Sequence, residues 1–124
     1  MAEETSPAKE LERFLSFIDQ CVSEYKYAYG QVNEEDKKVQ DFLHAVEFAE
    51  GKGERNRIVT QLQRSRKERR KNKDIVLRNE KIVKFFEEQK NRETLNRMRQ
   101  LLGQQRKEEE YLKSERRYKP RVNP

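Results

Sequence analysis

Seven of the ten side chains from Arg64 to Lys73 are basic, and Glu68 is the single acidic one among them. Neither a membrane span nor a catalytic segment has this composition. The run therefore indicates a binding function rather than catalysis. Its partner is expected to carry negative charge, as a nucleic acid or an acidic protein surface does.

The chain is too polar to bury a large core. Charged residues make up 42% and hydrophobic residues 32% of its 124 residues, against about 25% and about 45–50% in ordinary globular domains. This length allows one domain at most. Four glycines, three prolines and no tryptophan disfavour strand-and-turn architectures. We therefore expect long amphipathic helices that are stabilised by self-association or by a partner.

The sequence also predicts the compartment. Cys21 is the only cysteine, so a disulfide framework within the chain is excluded. No apolar run approaches the roughly 20 residues that a membrane span needs, and residues 1–5 are acidic where a signal peptide is basic. We expect a cytoplasmic protein with no membrane partner.

Charge is segregated along the chain. Residues 1–53 contain 6 Lys and Arg against 12 Asp and Glu, for a net charge of −6. Residues 54–73 contain 9 Lys and Arg against 2 Asp and Glu, for a net charge of +7. Residues 74–124 contain 14 basic against 9 acidic residues, for a net charge of +5. Either the acidic half neutralises the basic half within the fold, or the basic half is left for an external polyanion. Both can hold at once.

Residues 6–51 are predicted to form an antiparallel helical hairpin. Ser6 caps the first helix and Pro7 occupies its first position, while Gly30 ends it. Asn33 caps the second helix, which ends at the segment 51–53. Apolar residues recur at three- and four-residue spacing along both helices: Leu11, Phe14, Leu15, Ile18, Cys21, Val22, Tyr25, Ala28, Val39, Phe42, Leu43, Val46 and Ala49.

Residues 54–90 are predicted to form a long basic helix. Its apolar stripe is interrupted on the same face by Arg66, Arg69 and Lys73, and other cations make the helix positive all round. A break near Asn79 is compatible with this pattern. Because like charges on one helix repel each other, the helix needs either external phosphates or acidic neighbours from the hairpin. The candidate neighbours are Asp41, Glu47 and Glu50.

A last helix is predicted at residues 91–103, with Asn91 as its cap and Gly103 at its end. A charged, partly flexible tail follows at 104–124. The predicted fold is all-α, with a helical domain at 1–103 in which the hairpin packs on the long basic helix. The few apolar residues are spread over many helical positions, so a monomer leaves its stripes only partly covered. We therefore expect a homodimer.

The candidate residues for binding nucleic acid or an acidic partner are the seven cations of the run. They are Arg64, Arg66, Lys67, Arg69, Arg70, Lys71 and Lys73. Arginine suits bidentate contacts with phosphate or carboxylate. No Gly-rich phosphate loop or activated nucleophile is evident, and His44 with only Asp41 and Glu47 nearby is a poor metal signature. We predict no enzyme activity, no cofactor and no metal.

Two further features favour structural roles. Cys21 lies on the apolar stripe of the first helix and is expected to be buried. Tyr25, Tyr27 and Tyr29 alternate along that helix, so their rings point in different directions and cannot form one stacking platform. We expect Tyr25 in the core and the other two rings exposed.

Five segments spread over most of the chain carry a family resemblance. They are residues 10–19, Lys-Asn-Lys-Asp at 71–74, the string Ile-Val-Lys-Phe-Phe-Glu-Glu-Gln-Lys-Asn at 82–91, Met-Arg-Gln-Leu-Leu-Gly at 98–103 and Tyr-Lys-Pro-Arg-Val at 118–122. Together they resemble small basic helical proteins encoded by phages and prophages of Firmicutes, a family without a settled function. The resemblance implies a protein of the host cell cytoplasm that acts by binding. Such proteins regulate phage transcription or replication, or block host defence machinery such as CRISPR nucleases.

The sequence thus favours a non-enzymatic, phage-type binding protein that engages nucleic acid or a nucleoprotein through its basic helix. The alternative is a protein-directed inhibitor of a host defence nuclease, of anti-CRISPR type, or a homo-oligomeric adaptor. Nucleic-acid binding predicts an affinity that falls steeply with salt. The alternative predicts a tight protein partner and weak binding to free nucleic acid.

Overall fold

The computed structural model describes residues 6–115. Helix α1 spans Pro7–Glu47, α2 spans Lys52–Glu87 and α3 spans Gln89–Lys113. No strand occurs in this part of the chain, which confirms the predicted all-α fold. Within the same residues, none of the helices has the apolar length needed to cross a membrane.

Helix α1 is a single rod of 41 residues, about 60 Å long at 1.5 Å per residue. Ser6 caps it as predicted, because the Lys9 backbone N–H donates a 3.1 Å hydrogen bond to the Ser6 hydroxyl. Pro7 occupies the first turn, where its missing N–H has no helical partner to lose.

The predicted hairpin over residues 6–51 is wrong, because α1 continues through Gly30 and Asn33. An exposed glycine inside a helix costs only about 1 kcal/mol relative to alanine. The buried residues Ala28, Val32 and Glu35 follow each other at intervals of four and three, so the buried face of α1 continues unbroken across Gly30. Packing along that face outweighs the local preference of glycine for a turn.

The hairpin of this fold is made by α1 and α2 instead. The chain reverses over residues 48–51, and Gly51 has a φ of +88°, a conformation that glycine adopts without strain. Of the predicted break at 51–53, only Gly51 lies outside a helix, since α2 begins at Lys52. Helix α2 then continues to Glu87, close to the predicted 54–90.

Helix α2 has no break at Asn79. The side-chain amide of this buried residue donates to the Ile75 carbonyl at 2.9 Å and to the Glu24 carboxylate at 3.3 Å. The first bond stays within α2 and the second joins it to α1. Asn79 is therefore a polar cross-link between continuous helices.

A break separates α2 from α3 at Glu88, whose backbone is extended. The shielded stripe passes from Phe86 to Asn91, an interval of five residues. In one straight helix those two positions would face different sides. The break therefore brings the shielded residues of α3 back to the side that faces α1. Asn91, predicted to cap the last helix, instead donates a 2.8 Å hydrogen bond to the Phe85 carbonyl near the end of α2.

Helix α3 extends beyond its predicted end. It continues through Gly103 to Lys113, so residues 104–113 of the predicted tail are helical. The stripe that includes Leu95 and Leu102 carries on beyond Gly103 to the half-buried Glu109. The predicted extended end at 118–124 lies outside the described residues.

Helix α1 is the common partner of the other two helices. The order of contacts shows that α2 and α3 both run antiparallel to it. One core cluster joins α1 and α3 through Ala8, Leu15, Ile18, Leu95 and Leu102, with Ile82 and Phe86 of α2 packed against it. A second, smaller cluster joins α1 and α2 through Ala28, Val32 and Val76. The core is thus thickest where three helices meet and thin where only two do.

The start of α1 is held by α3. The Ala8 backbone N–H donates a 2.9 Å hydrogen bond to the Glu109 carboxylate, so a side chain of another helix satisfies one of the free donors at this helix end. Hydrogen bonding from Ser6, together with that of the Ala8 N–H, lowers the pKa of Glu109 from its usual 4.5. The ionised carboxylate therefore supports the packing of α3 on α1.

Glycine substitutions test the continuity of the helices. An alanine Cβ at Gly30 or Gly103 meets no other atom of the described residues within 4 Å. We expect Gly30→Ala and Gly103→Ala each to raise the free energy of unfolding by about 0.5–1 kcal/mol. Gly51→Ala should lower it by about 1–3 kcal/mol, because an L side chain is strained at positive φ. Urea unfolding followed by circular dichroism measures all three, and destabilisation by Gly30→Ala would instead support a turn at this position.

Acid should weaken the α1–α3 contact. Because folding lowers the pKa of Glu109, its contribution to stability is present above the usual value of 4.5 and is lost as pH falls through the folded pKa. We expect Glu109→Gln to lower the melting temperature at pH 7 and to flatten its decline toward pH 3. Glu110→Gln on the exposed neighbour is the control. Parallel pH curves for Glu109→Gln and wild type would contradict this role.

Candidate nucleic-acid interface

Positive charge is concentrated on α2. This helix carries 13 Lys and Arg against 5 Asp and Glu, for a net charge of +8. Helix α1 carries 5 against 9, for −4. Since the two helices are paired, part of the basic charge is neutralised within the fold, and the side of α2 that faces away from α1 keeps the rest.

One cation of the basic run, Arg69, lies in the interface between α1 and α2. Arg69 is half-buried, and its Nε lies 2.6 Å from Oδ1 of Asp36 on α1. Arg66 and Lys73 were predicted to lie on the same face, but both are exposed. Seven of the shielded residues of α2 repeat at alternating intervals of three and four, as in a coiled coil. They are Leu62, Ser65, Arg69, Asn72, Val76, Asn79 and Val83, which we call the seam.

A buried carboxylate lies opposite the basic run. Glu35 of α1 is only 6% exposed, accepts a short hydrogen bond from the Ser65 hydroxyl and lies 3.3 Å from Lys38 Nζ. The acidic neighbours predicted for the run were different ones. Within residues 6–115, Asp41, Glu47 and Glu50 form no ion pair with it, and the contacts come from Glu35 and Asp36 instead.

The remaining cations of the run face solvent. Arg64, Arg66, Lys67 and Arg70 are exposed and take part in no ion pair within the described residues. Lys71 lies 3.9 Å from Glu68 on the same helix, and its side chain is also exposed. Arg66, Lys67 and Arg70, with Gln63, line a shallow depression of about 420 Å³, and no carboxylate among residues 6–115 borders it.

Two further cations extend this surface. Arg57, Arg64, Lys71 and Arg78 recur at intervals of seven residues, which aligns them along one edge of α2. Arg78 also lies 3.3 Å from the Glu24 carboxylate on α1. The seven-residue spacing was present in the sequence and is the signal that could have identified Arg57 and Arg78. We define the basic ridge as the exposed cations of α2 between positions 57 and 78. They are Arg57, Arg64, Arg66, Lys67, Arg70, Lys71, Lys73 and Arg78.

An interhelical pocket of about 550 Å³ adjoins the basic ridge. From α1 it is lined by Tyr27 and Gln31, and from α2 by Glu68, Lys71, Asn72, Asp74, Ile75 and Arg78. We call it the Tyr27 pocket. Tyr25 packs against the second core cluster while Tyr27 and Tyr29 are exposed, which confirms the expected burial of the tyrosines. The prediction that all three rings point in different directions does not hold for Tyr25 and Tyr29. The ring of Tyr29 lies 5.9 Å from that of Tyr25, whereas Tyr27 faces the pocket.

An apolar groove was not foreseen from the sequence. Phe14 and Phe17 of α1 and Phe85 of α2 are all exposed, and they line a groove of about 400 Å³ together with Ile18, Lys81, Ile82 and Phe86. Lys81 is the one charged residue in this lining. Single exposed apolar residues are ordinary, but a cluster of exposed aromatic rings is typical of a contact surface.

Cys21 is buried as predicted, at 5% exposure. Burial raises the pKa of its thiol, and the nearby charge of Glu24 raises it further. The thiol is therefore protonated at neutral pH and a poor nucleophile. Within residues 6–115, no group of three His, Cys, Asp or Glu side chains is arranged to hold a metal ion.

No protein-family model, curated protein or solved structure matches this chain.

Proposed function

We propose that this protein binds nucleic acid, free or in a nucleoprotein, through the basic ridge of α2, and that it is not an enzyme. The observation that carries the proposal is the depression formed by Arg66, Lys67 and Arg70. Three cations converge there with no carboxylate to neutralise them. A phosphate group satisfies their charge and accepts hydrogen bonds from both guanidinium groups.

The ridge is shaped to follow a nucleic-acid backbone. From Arg57 to Arg78 it spans 22 residues of one continuous helix, or about 30 Å at 1.5 Å per residue. Its donors are long, exposed side chains on a rigid rod, which suit phosphate contacts. Phosphate contacts position a protein without reading bases, so the proposed binding by the ridge is independent of sequence.

Charge reversal in the depression tests the proposal. We expect the triple variant Arg66→Glu, Lys67→Glu, Arg70→Glu to lose binding to a labelled 20-nucleotide single strand and to the matching duplex by at least 100-fold. Each phosphate contact on duplex DNA adds about 0.9 to the slope of log affinity against log salt concentration. For three contacts, the affinity of wild type should therefore fall about 40-fold between 50 and 200 mM salt. Fluorescence anisotropy at those two salt concentrations measures both effects.

A matched control separates the site from the overall charge. Arg92→Glu, Arg97→Glu and Lys107→Glu change the charge by the same amount on exposed positions of α3. This variant should keep its affinity to within about fivefold. Equal losses in the two triple variants would show non-specific attraction rather than a site. No binding by wild type at 50 mM salt would end the proposal.

The second candidate is a protein-directed function, as an inhibitor of a host defence nuclease or as a homo-oligomeric adaptor. The apolar groove favours it. Because Lys81 is the only charged residue in the lining, a second copy related by a two-fold axis would bring Phe17 and Phe85 of both copies together with little charge to desolvate. We take a second copy of the chain as the occupant.

Self-association should therefore depend on Phe17. We expect wild type to dimerise at micromolar concentration and Phe17→Glu to be monomeric, because the substitution removes an aromatic contact and places a charge that must be desolvated in the interface. Light scattering coupled to size exclusion measures the mass. Phe48→Glu is the control, since Phe48 is 78% exposed at the α1–α2 turn, away from the groove. A monomeric wild type at 100 µM would reject the dimer and leave the groove to a different protein.

A further inference from the structure

The Tyr27 pocket combines an aromatic ring with groups of both charges. Tyr27 is 68% exposed and lines the pocket, so its side chain is accessible to a ligand. Lys71 and Arg78 border the same pocket and belong to the basic ridge. A ligand that follows the ridge thus passes directly beside an accessible aromatic face.

The polar lining of this pocket does not suit a phosphate. Glu68 and Asp74 contribute carboxylates, which repel anions. The Asn72 amide nitrogen donates a 3.0 Å hydrogen bond to the Glu68 backbone carbonyl, which leaves its side-chain oxygen as an acceptor. Glu68 and Asn72, one turn apart on α2, therefore offer acceptors in the pocket that Tyr27 also lines, and the exocyclic amino group of a nucleobase is a donor that they can bind.

We propose that the Tyr27 pocket holds one unstacked nucleobase of a single-stranded nucleic acid. The base stacks on Tyr27, its amino edge faces Glu68 and Asn72, which lie one turn apart on α2, and the flanking phosphates lie on Lys71 and Lys67. This inference rests on the proposed nucleic-acid function and narrows it. Bases in a duplex are stacked on each other and unavailable to the ring, so the pocket gives the protein a preference for single strands.

Binding of an oligocytidine 12-mer tests the pocket, because the cytosine N4 amino group is a donor. Fluorescence anisotropy is measured with (dC)12, with a 12-mer abasic strand of equal phosphate number, and with a duplex of equal length. We expect Tyr27→Ala to weaken (dC)12 binding about tenfold, as loss of one stacked base does, and to change duplex or abasic binding less than twofold. Tyr27→Phe keeps the ring and should bind (dC)12 like wild type.

The controls distinguish failure of the pocket from failure of the proposed function. Tyr29→Ala removes an exposed ring that packs on Tyr25 instead of facing the pocket, and it should bind (dC)12 within twofold of wild type. Equal affinity of wild type for (dC)12 and the abasic strand, or equal losses in Tyr27→Ala and Tyr29→Ala, would overturn the pocket while leaving the ridge intact. Absence of binding to every strand would overturn both.

Discussion

The pairing of α1 with α2 depends on one buried carboxylate. Glu35 is almost fully shielded and is satisfied by the Ser65 hydroxyl and the Lys38 ammonium, while Asp36 and Arg69 pair one position further along. A slip that removes the Ser65 hydroxyl would leave part of the buried carboxylate unsatisfied, at a cost of about 1–3 kcal/mol, while Lys38 on α1 would remain beside it. A slip of α2 by seven residues would place Ile58 opposite Glu35. The contacts of Glu35 with Ser65 and of Asp36 with Arg69 therefore favour one register of the two helices. The apolar contacts between these helices are too few to do so alone.

That register decides which cations reach solvent. Arg69 turns inward to Asp36, and the seam repeat then places Arg64, Arg66, Lys67 and Arg70 on the outside of α2. The acidic residues of α1 neutralise the inner side of the basic helix and leave the outer side uncompensated. Neutralisation within the fold is thus realised on the inner side of α2, and the exposed cations of its outer side remain available to an external polyanion.

Much of the fold follows from the sequence, but local signals alone do not show which glycine ends a helix. Ser6 with Pro7, the buried Cys21 and the reversal at Gly51 were predictable from local signals. Gly30 carries the same local signal as a helix end and yet lies inside α1, because packing on α2 outweighs its small intrinsic penalty. For the site, the basic run was visible as a string of residues. The Tyr27 pocket was not, since it is formed by two segments that are joined only by the tertiary pairing.

The register of α1 and α2 therefore determines both the stability of their pairing and the geometry of the site. Tyr27 lies eight residues before Glu35 on the same rod, about 12 Å along its axis. Its position beside Lys71 and Arg78 is consequently set by the same register that buries Glu35 against Ser65. In a pair slipped by one heptad, Tyr27 would face different residues of α2, and the acceptors that line its pocket would be displaced from the ring. An all-apolar seam could hold two helices together, but it would not by itself fix which cations stand beside Tyr27.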